Sequence, residues 1–286
     1  MGGSAERGGV NENRLGVELR YACEIERLGE LAPLFIPSQL DAEGEAFLAR
    51  TLQRQHTRAA AWAHRTLTLL LSDFDANAVL GMYPVFLLST PQALRLLTAA
   101  RPEGVSGARL LDIGAGSGDV TTRLAPLVEA VESTEASRFM ARKLRRRGVS
   151  CWHGRVGEGA PGDPLASGAS YDVIALLNVI DRASKPRSLL SHVVRALPPG
   201  GLLLLATPLP YEPFFYVGPT TLPPEEKLSV SAESWEDATL ELWQNELAPL
   251  GLAPRALTRL PYLSGGDVQH AAYVLDDAVF VCEKRS

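Results

Sequence analysis

A short apolar run that leads into closely spaced glycines constrains the fold of this chain more than any other feature. Asp112 lies within the apolar stretch that follows Arg109, and Gly114, Gly116 and Gly118 come next at alternate positions. Glycine adopts the backbone angles of a tight turn and lets a ligand approach without a Cβ in the way. The pattern predicts a buried β-strand that turns sharply into a helix.

Strands and helices alternate over the residues that follow this turn. We expect later strands at 130–134, 149–153, 171–181 and 202–206, with helices at 119–128, 137–147 and 186–197. Two further apolar segments, 256–263 and 272–284, are expected to pair as an antiparallel hairpin at the sheet edge. This order predicts an α/β fold with a mostly parallel sheet and helices on both faces.

The chain of 286 residues divides into an amino-terminal region and a larger α/β unit. Residues 1–14 are polar and glycine-rich, which indicates a disordered tail, and residues 15–100 have the apolar spacing of helices. The α/β unit is expected at 101–286. It includes an insertion at about 208–232 that is rich in proline and aromatic residues, and such insertions are often binding loops.

Helices are also expected outside the repeating strand–helix units, and Leu28, Leu31, Leu34 and Phe35 have helical spacing. One extends from its N-cap Asp41 to Asp73, with an apolar face that includes Trp62. A second begins at the N-cap Thr90, and a third covers 234–250.

Composition argues against several classes of protein. The net charge of −5 gives no overall basic field for nucleic acid, and the local basic run 138–147 has the pattern of a solvated helix face. The three cysteines and five histidines lack the spacing of metal ligands, so we expect no metal site. No apolar run approaches the length of a membrane span and no signal peptide is evident, so a soluble protein of unknown compartment is expected.

The acidic residues around the glycines indicate the kind of ligand. Glu135 lies 19 positions after Gly116, near the spacing of a carboxylate that binds ribose hydroxyls. Asp119 occupies the place of the third glycine in a dinucleotide motif, and its charge would repel a pyrophosphate. Asp112 suits a cationic ligand. The pattern therefore favours S-adenosylmethionine over a nicotinamide dinucleotide, and predicts a class I methyltransferase.

The strand within 171–181 ends in polar residues. Because ligands of open α/β sheets bind at the carboxyl ends of the strands, Asn178 and Asp181 are candidate site residues. Asn178 has both a donor and an acceptor, and Asp181 can accept a proton or orient a donor. The alternative for Asp181 is a purely local role as a helix cap or as the partner of Arg182.

Several segments together resemble the DREV family, also called the methyltransferase-like protein 9 family. The resemblance covers roughly residues 20–284. It is carried by LLDIGAGSGDVT, STEAS and YDVIALLNVIDR, and most specifically by RLPYL and YVLDDAVFV near the carboxyl terminus. It implies a Rossmann-like sheet of seven strands behind a helical amino-terminal region. It also implies a protein-histidine N-pros-methyltransferase that acts on His-x-His motifs and releases S-adenosylhomocysteine. A monomer is expected.

The resemblance also implies roles for individual residues. Glu135 would hold the ribose, and Asn178 and Tyr262 would lie at the reactive end of the cofactor and at the target imidazole, which Asp181 would contact. The expected cofactor-binding residues are Asp112, Gly114, Ala115, Gly116, Glu135, Ala136, Asn178 and Tyr262. Those expected at the substrate are Asp181, Tyr273, Asp276 and Asp277.

The chain departs from the family pattern in two places, and other functions stay open. The loop 154–170 is longer than expected, which affects adenine contacts, and the segment before Tyr273 lacks expected aromatic residues. Partners are expected to be histidine-containing proteins or peptides, with no nucleic acid. The alternatives are a small-molecule or RNA methyltransferase, a binding module without activity and a nicotinamide enzyme.

Overall fold

The computed structural model describes residues 18–53, 58–67, 76, 80, 84–217, 220–266 and 272–285. These residues contain ten strands, which are β1 (Val85–Phe86), β2 (Arg109–Ile113), β3 (Ala130–Glu135), β4 (Ser150–His153), β5 (Val173–Leu177), β6 (Leu202–Pro208), β7 (Phe215–Val217), β8 (Thr220–Leu222), β9 (Leu252–Gly265) and β10 (Ala272–Lys284).

The helices precede and separate these strands. The α-helices are α1 (Ala42–Gln53), α2 (Arg58–Leu67), α3 (Thr90–Ala100), α4 (Thr121–Leu124), α5 (Arg138–Arg146), α6 (Pro186–Ala196) and α7 (Trp235–Leu242). Short 3-10 segments cover Ile25–Leu34, Ala125–Leu127, Ile180–Arg182 and Ala248–Leu250, and Trp243–Leu247 is π-helical.

Eight strands form one sheet in the order β1-β9-β10-β6-β5-β2-β3-β4. The five strands from β6 to β4 are parallel, as the alternating pattern predicts. Strand β10 pairs antiparallel with β6 and with β9, so the predicted hairpin is confirmed. The predicted count of seven strands is wrong, because β1 adds an eighth strand at the outer edge of β9. A strand of two residues is too short to carry a periodic pattern.

Two apolar clusters cover the two faces of the sheet. Alternate residues of a strand point to opposite faces, and this assigns Leu111 and Ile113 to one cluster and Leu110 to the other. Helices α6 and α7 pack on the first face, whereas α3 packs on the second. The predicted arrangement of helices on both faces is therefore confirmed.

Several predicted boundaries move in the structure. The Asp41 carboxylate accepts the N–H of Gly44 at 3.1 Å and so caps α1, as expected. Within the predicted helix from Asp41 to Asp73, the structure describes α1 and α2. Residues 54–57 and 68–73 lie outside the described residues. Trp62 is exposed rather than buried. The N-cap of α3 is Ser89, not Thr90, because the Ser89 hydroxyl accepts the N–H of Gln92.

The predicted irregular insertion contains regular structure. Strands β7 and β8 pair antiparallel within it. The predicted helix 119–128 is a short α4 followed by a 3-10 turn, and the helix after Ser234 continues through the π-helical segment. The predicted tail at 1–14 lies outside the described residues.

Candidate functional site

The glycine-rich turn joins the carboxyl end of β2 to α4. Gly114 and Gly116 have φ angles of 69° and 55°, which favour glycine. A Cβ on Gly114 would lie 2.7 Å from Cγ2 of Val179, so this position is also sterically closed. A Cβ on Gly116 would meet no atom within 4 Å. The turn therefore presents open space beside Gly116, at the end of the sheet where ligands of this fold bind.

Glu135 ends β3 and connects to this turn. One carboxylate oxygen accepts the N–H of Gly116 at 2.8 Å and the other accepts the N–H of Ser137 at 2.8 Å. The side chain is buried. These bonds fix a carboxylate next to the open space at Gly116, where it can accept hydrogen bonds from the hydroxyls of a ribose.

Two other carboxylates flank the turn. Asp112 is buried on β2 and accepts the Thr121 hydroxyl at 2.6 Å, and burial raises the pKa of Asp112 to about 7. Burial acts to raise the pKa of Asp119, but hydrogen bonds from Ser117 at 2.6 Å and Arg147 at 2.7 Å outweigh it and hold that pKa below its usual value. A fixed negative charge at the start of α4 disfavours a phosphate there. The structure thus supports the preference for a ligand without phosphate.

The other predicted cofactor residues lie beside these groups. The N–H groups of Gly114 and Ala115 both donate to the carbonyl oxygen of Thr134, at 3.0 and 3.1 Å. The carbonyl oxygen of Ala136 contacts Nε2 of His153 at 3.1 Å, at the end of β4. The ends of β2, β3 and β4 therefore bring this set of residues together.

Unpartnered polar atoms gather at the ends of β5, β6 and β10. Of the seven buried side-chain N and O atoms without a hydrogen-bond partner among the described residues, six belong to four residues: Asn178, Asp181, Thr207 and Asp277. An unpaired buried polar group costs roughly 1–3 kcal/mol, so each of these atoms needs a partner that a ligand or a water molecule can supply. We call these four residues the polar cluster.

Asn178 follows β5 in a strained conformation. Its φ is 55°, the one positive value of a residue other than glycine in the described part of the chain, and its N–H donates to the carbonyl oxygen of Ala206 at 2.9 Å. Both polar atoms of its side chain are buried and unpartnered. Backbone strain of this kind is concentrated at functional sites.

Asp181 and Asp277 are the two carboxyls of the polar cluster. One oxygen of Asp181 pairs with Arg182 at 2.7 Å and the other has no partner. Burial raises the pKa of Asp181, and Arg182 opposes this shift. Burial raises the pKa of Asp277 well above its usual value, and the charge of Asp181 adds to this shift. The nearby amide of Asn178 opposes the shift, although the amide and the carboxyl do not have hydrogen-bond geometry.

Tyr262 on β9 lies next to these carboxyls. Burial, followed by the charges of Asp277 and Asp181, raises the pKa of the Tyr262 hydroxyl. Tyr262 is opposite Leu275, and Asp277 is opposite Leu260, so both side chains lie on the same face of the sheet. The structure therefore brings Asn178, Asp181, Tyr262 and Asp277 together.

Two predicted substrate residues lie apart from the polar cluster. Asp276 points to the other face of β10 and forms a double hydrogen bond with Arg259, whose guanidinium also stacks on Trp235 at 4.8 Å. Tyr273 is exposed near the outer end of β10. Asp276 thus supports the hairpin, and the substrate-contact roles of Tyr273 and Asp276 stay predictions.

Residues of the insertion contact the polar cluster and were not singled out from the sequence. The Tyr211 hydroxyl donates to the carbonyl oxygen of Ile180 at 2.8 Å, and the Phe214 N–H donates to the carbonyl oxygen of Asp181 at 3.0 Å. The Arg182 guanidinium lies 3.9 Å from the centre of the Phe214 ring. In the sequence, the only indication of Tyr211 and Phe214 is that the insertion is rich in aromatic residues, and this composition does not predict where any single ring lies.

The arrangement of these groups fits S-adenosylmethionine. Glu135 offers acceptors for ribose hydroxyls, the open space at Gly116 admits a close ligand, and the polar cluster leaves donors and acceptors free. In the part of the chain that the structure describes, no group of three His, Cys, Asp or Glu side chains is placed to hold a metal ion. Among the same residues, no helix is long and apolar enough to cross a membrane.

The parallel sheet, the acidic glycine turn and the buried carboxylate of Glu135 beside it are those of a class of protein, the S-adenosylmethionine-dependent methyltransferases of class I fold. Within that class, the chain belongs to the DREV methyltransferase family, whose sequence profile matches residues 20–284.

Solved structures with a similar fold include YcgJ from Bacillus subtilis, at 16% identity and a TM-score of 0.45, with 69% of this chain and 98% of that chain covered. Another is the N-methyltransferase NodS from Bradyrhizobium japonicum in complex with S-adenosyl-L-homocysteine, at 16% identity and a TM-score of 0.40, with 68% and 87% covered. At this similarity, neither structure indicates a substrate for this chain.

Proposed function

We propose that this chain is a protein-histidine methyltransferase that modifies the pros nitrogen of histidine in His-x-His motifs. The observation that carries the proposal is the free oxygen of Asp181, a buried carboxylate whose other oxygen is paired with Arg182. A neutral imidazole has one N–H donor and one lone pair. A carboxylate acceptor for that N–H leaves the other ring nitrogen available for attack.

The polar cluster supports this arrangement with further groups. Asn178 offers an amide beside the carboxyls, and Tyr262 offers a hydroxyl from β9. Together they can hold a planar ring in one orientation, and alignment of the nucleophile is the main requirement of a displacement at a methyl group. S-adenosylmethionine supplies an electrophilic methyl group on a positively charged sulfur.

The electrostatics of the site favour the charge that develops during the reaction. The imidazole becomes cationic when its nitrogen forms the new bond. A carboxylate in a site with little water attracts that cation more strongly than it attracts the neutral ring. Asp181 therefore stabilises the transition state and can take the N–H proton when the methylated ring returns to neutrality.

The preference for two histidines rests on family membership and on the number of acceptors. Asp181 and Asp277 provide two carboxyls at the ends of neighbouring parts of the sheet. In such a cluster, each of two imidazoles separated by one residue can bind a carboxyl group. A monomeric enzyme without nucleic-acid partners is part of the same proposal.

A small-molecule methyltransferase is the alternative with a specific observation in its favour. Tyr211 and Phe214 from the insertion cover the segment that carries Asp181, and such a cover is also suited to enclosing a small ligand. An RNA substrate would instead depend on the basic helix α5, on which Arg138 and Arg142 are exposed.

The test is mass spectrometry on His-x-His peptides, a metabolite panel and RNA, each incubated with the protein and labelled S-adenosylmethionine. We expect one methyl group on a histidine of the peptides, at the pros nitrogen. Asp181→Asn should keep cofactor affinity and lose roughly 100-fold in turnover. Asp172→Asn, at the opposite end of the sheet, is the matched control and should stay active. Label on metabolites or RNA with unmodified peptides would contradict the proposal.

A further inference from the structure

Arg182 lies between Asp181 and the insertion and contacts both. Its guanidinium pairs with a carboxylate oxygen of Asp181 at 2.7 Å and donates to the carbonyl oxygen of the same residue at 3.0 Å. The guanidinium also lies 3.9 Å from the centre of the Phe214 ring. Phe214 in turn donates its N–H to the Asp181 carbonyl oxygen at 3.0 Å. Arg182 is thus held from two sides in one position.

Two buried carboxyls face this single cation. Asp181 and Asp277 both belong to the polar cluster, and each is almost completely removed from solvent. Two like charges close together in a poorly solvated site do not both ionise readily, so the pair tends to hold one proton. Arg182 forms an ion pair with Asp181, whereas neither oxygen of Asp277 has a partner.

We propose that Arg182 is a positioning residue that keeps the negative charge on Asp181 rather than on Asp277, and that Phe214 holds Arg182 in place for this purpose. The inference rests on the proposed function, because a charged Asp181 is what accepts the N–H of the target imidazole. Without Arg182, Asp181 loses the cation that favours its charged form. Asp181 then takes up a proton at higher pH and no longer serves as the acceptor.

The other groups that face Asp181 are consistent with this assignment. Tyr211 from the insertion and Tyr262 from β9 are both near enough that the charge of Asp181 contributes to raising the pKa of each hydroxyl. Neutral hydroxyls do not compete with Arg182 for the carboxylate as a counter-ion. Asp277 from β10 is the other carboxyl of the polar cluster, and the charge of Asp181 adds to the burial that raises the pKa of Asp277.

The first test compares kcat against pH for the wild type, Arg182→Gln, Arg182→Lys and Phe214→Leu. Removal of an adjacent cation raises the pKa of a carboxyl by about 1–3 units. In Arg182→Gln, the fall of kcat at low pH should therefore begin at a pH at least about one unit higher than in the wild type. Arg182→Lys should restore most of that shift. Phe214→Leu should produce a smaller upward shift. An acidic limb that stays unchanged in Arg182→Gln would overturn the proposal.

The second test does not depend on activity or on variants. Carbon-13 NMR of aspartate carboxyls in the wild-type protein should show Asp181 titrating below Asp277, and the reverse order would refute the inference. Failure of the proposed function would instead appear as unmodified peptides with this order of titration intact. For the first test, Arg187→Gln is the matched control, because Arg187 pairs with Glu246 away from the polar cluster, and this variant should leave the pH profile of kcat unchanged.

Discussion

Replacement of Gly116 by alanine separates cofactor binding from stability. The φ angle of 55° lies in the left-handed region, where a side chain costs about 1–2 kcal/mol. The added Cβ meets no protein atom within 4 Å, so no steric term adds to this cost. The melting temperature should therefore fall by a few degrees only. In contrast, the methyl group occupies the space beside Glu135, and a misfit of about 1–3 kcal/mol there weakens cofactor binding about 5–150-fold.

The matched control for this variant is Gly148→Ala. Gly148 has a φ of 80° and likewise has nothing within 4 Å of an added Cβ, but it follows α5 on the surface. Both variants should lose similar stability in thermal melts, whereas only Gly116→Ala should lose affinity for S-adenosylhomocysteine in calorimetry. Wild-type affinity in Gly116→Ala would show that the cofactor does not bind against this turn.

Three further variants test other parts of the site. Glu135→Gln replaces an acceptor with an amide donor that faces a backbone N–H, so calorimetry should show at least about a tenfold loss in S-adenosylhomocysteine affinity. Unchanged affinity would mean that another acid binds the ribose. Asp112 has a raised folded-state pKa of about 7, so its stabilising contribution is complete below about pH 4 and is lost as pH rises through 7. Denaturant unfolding should show Asp112→Asn gaining about 4 kcal/mol over the wild type between pH 4 and 8, and parallel curves would contradict this. Tyr262→Phe should lower kcat about tenfold while the melting temperature holds, and full activity would exclude the hydroxyl from the reaction.

The parallel part of the sheet and the meeting of the glycine-rich turn with Glu135 could be predicted from the sequence. Apolar strands and helical segments of ordinary length alternate there, and the Gly116–Glu135 spacing reflects one strand–helix–strand unit. Asn178 and Asp181 could be predicted for a similar reason, because polar residues directly after a buried strand lie at its carboxyl end. The local sequence pattern is sufficient to predict the structure wherever the fold repeats a regular strand–helix unit.

Other features depend on contacts between distant residues. The β1 strand exists because it pairs with β9, and its two residues carry no pattern of their own. The stacking of Arg182 on Phe214 joins residues 32 positions apart through the insertion. Asp276 and Asp277 are alike in sequence, and only the register of β10 shows which one points toward the polar cluster and which toward Arg259.

A crystal structure with S-adenosylhomocysteine and a His-x-His peptide tests the central claim most directly. The account predicts the ribose hydroxyls on Glu135, and a peptide imidazole whose N–H donates to the free oxygen of Asp181. Its other ring nitrogen should point toward the cofactor sulfur. A peptide histidine bound away from Asn178 and Asp181, or cofactor density elsewhere than beside Gly116, would contradict the account.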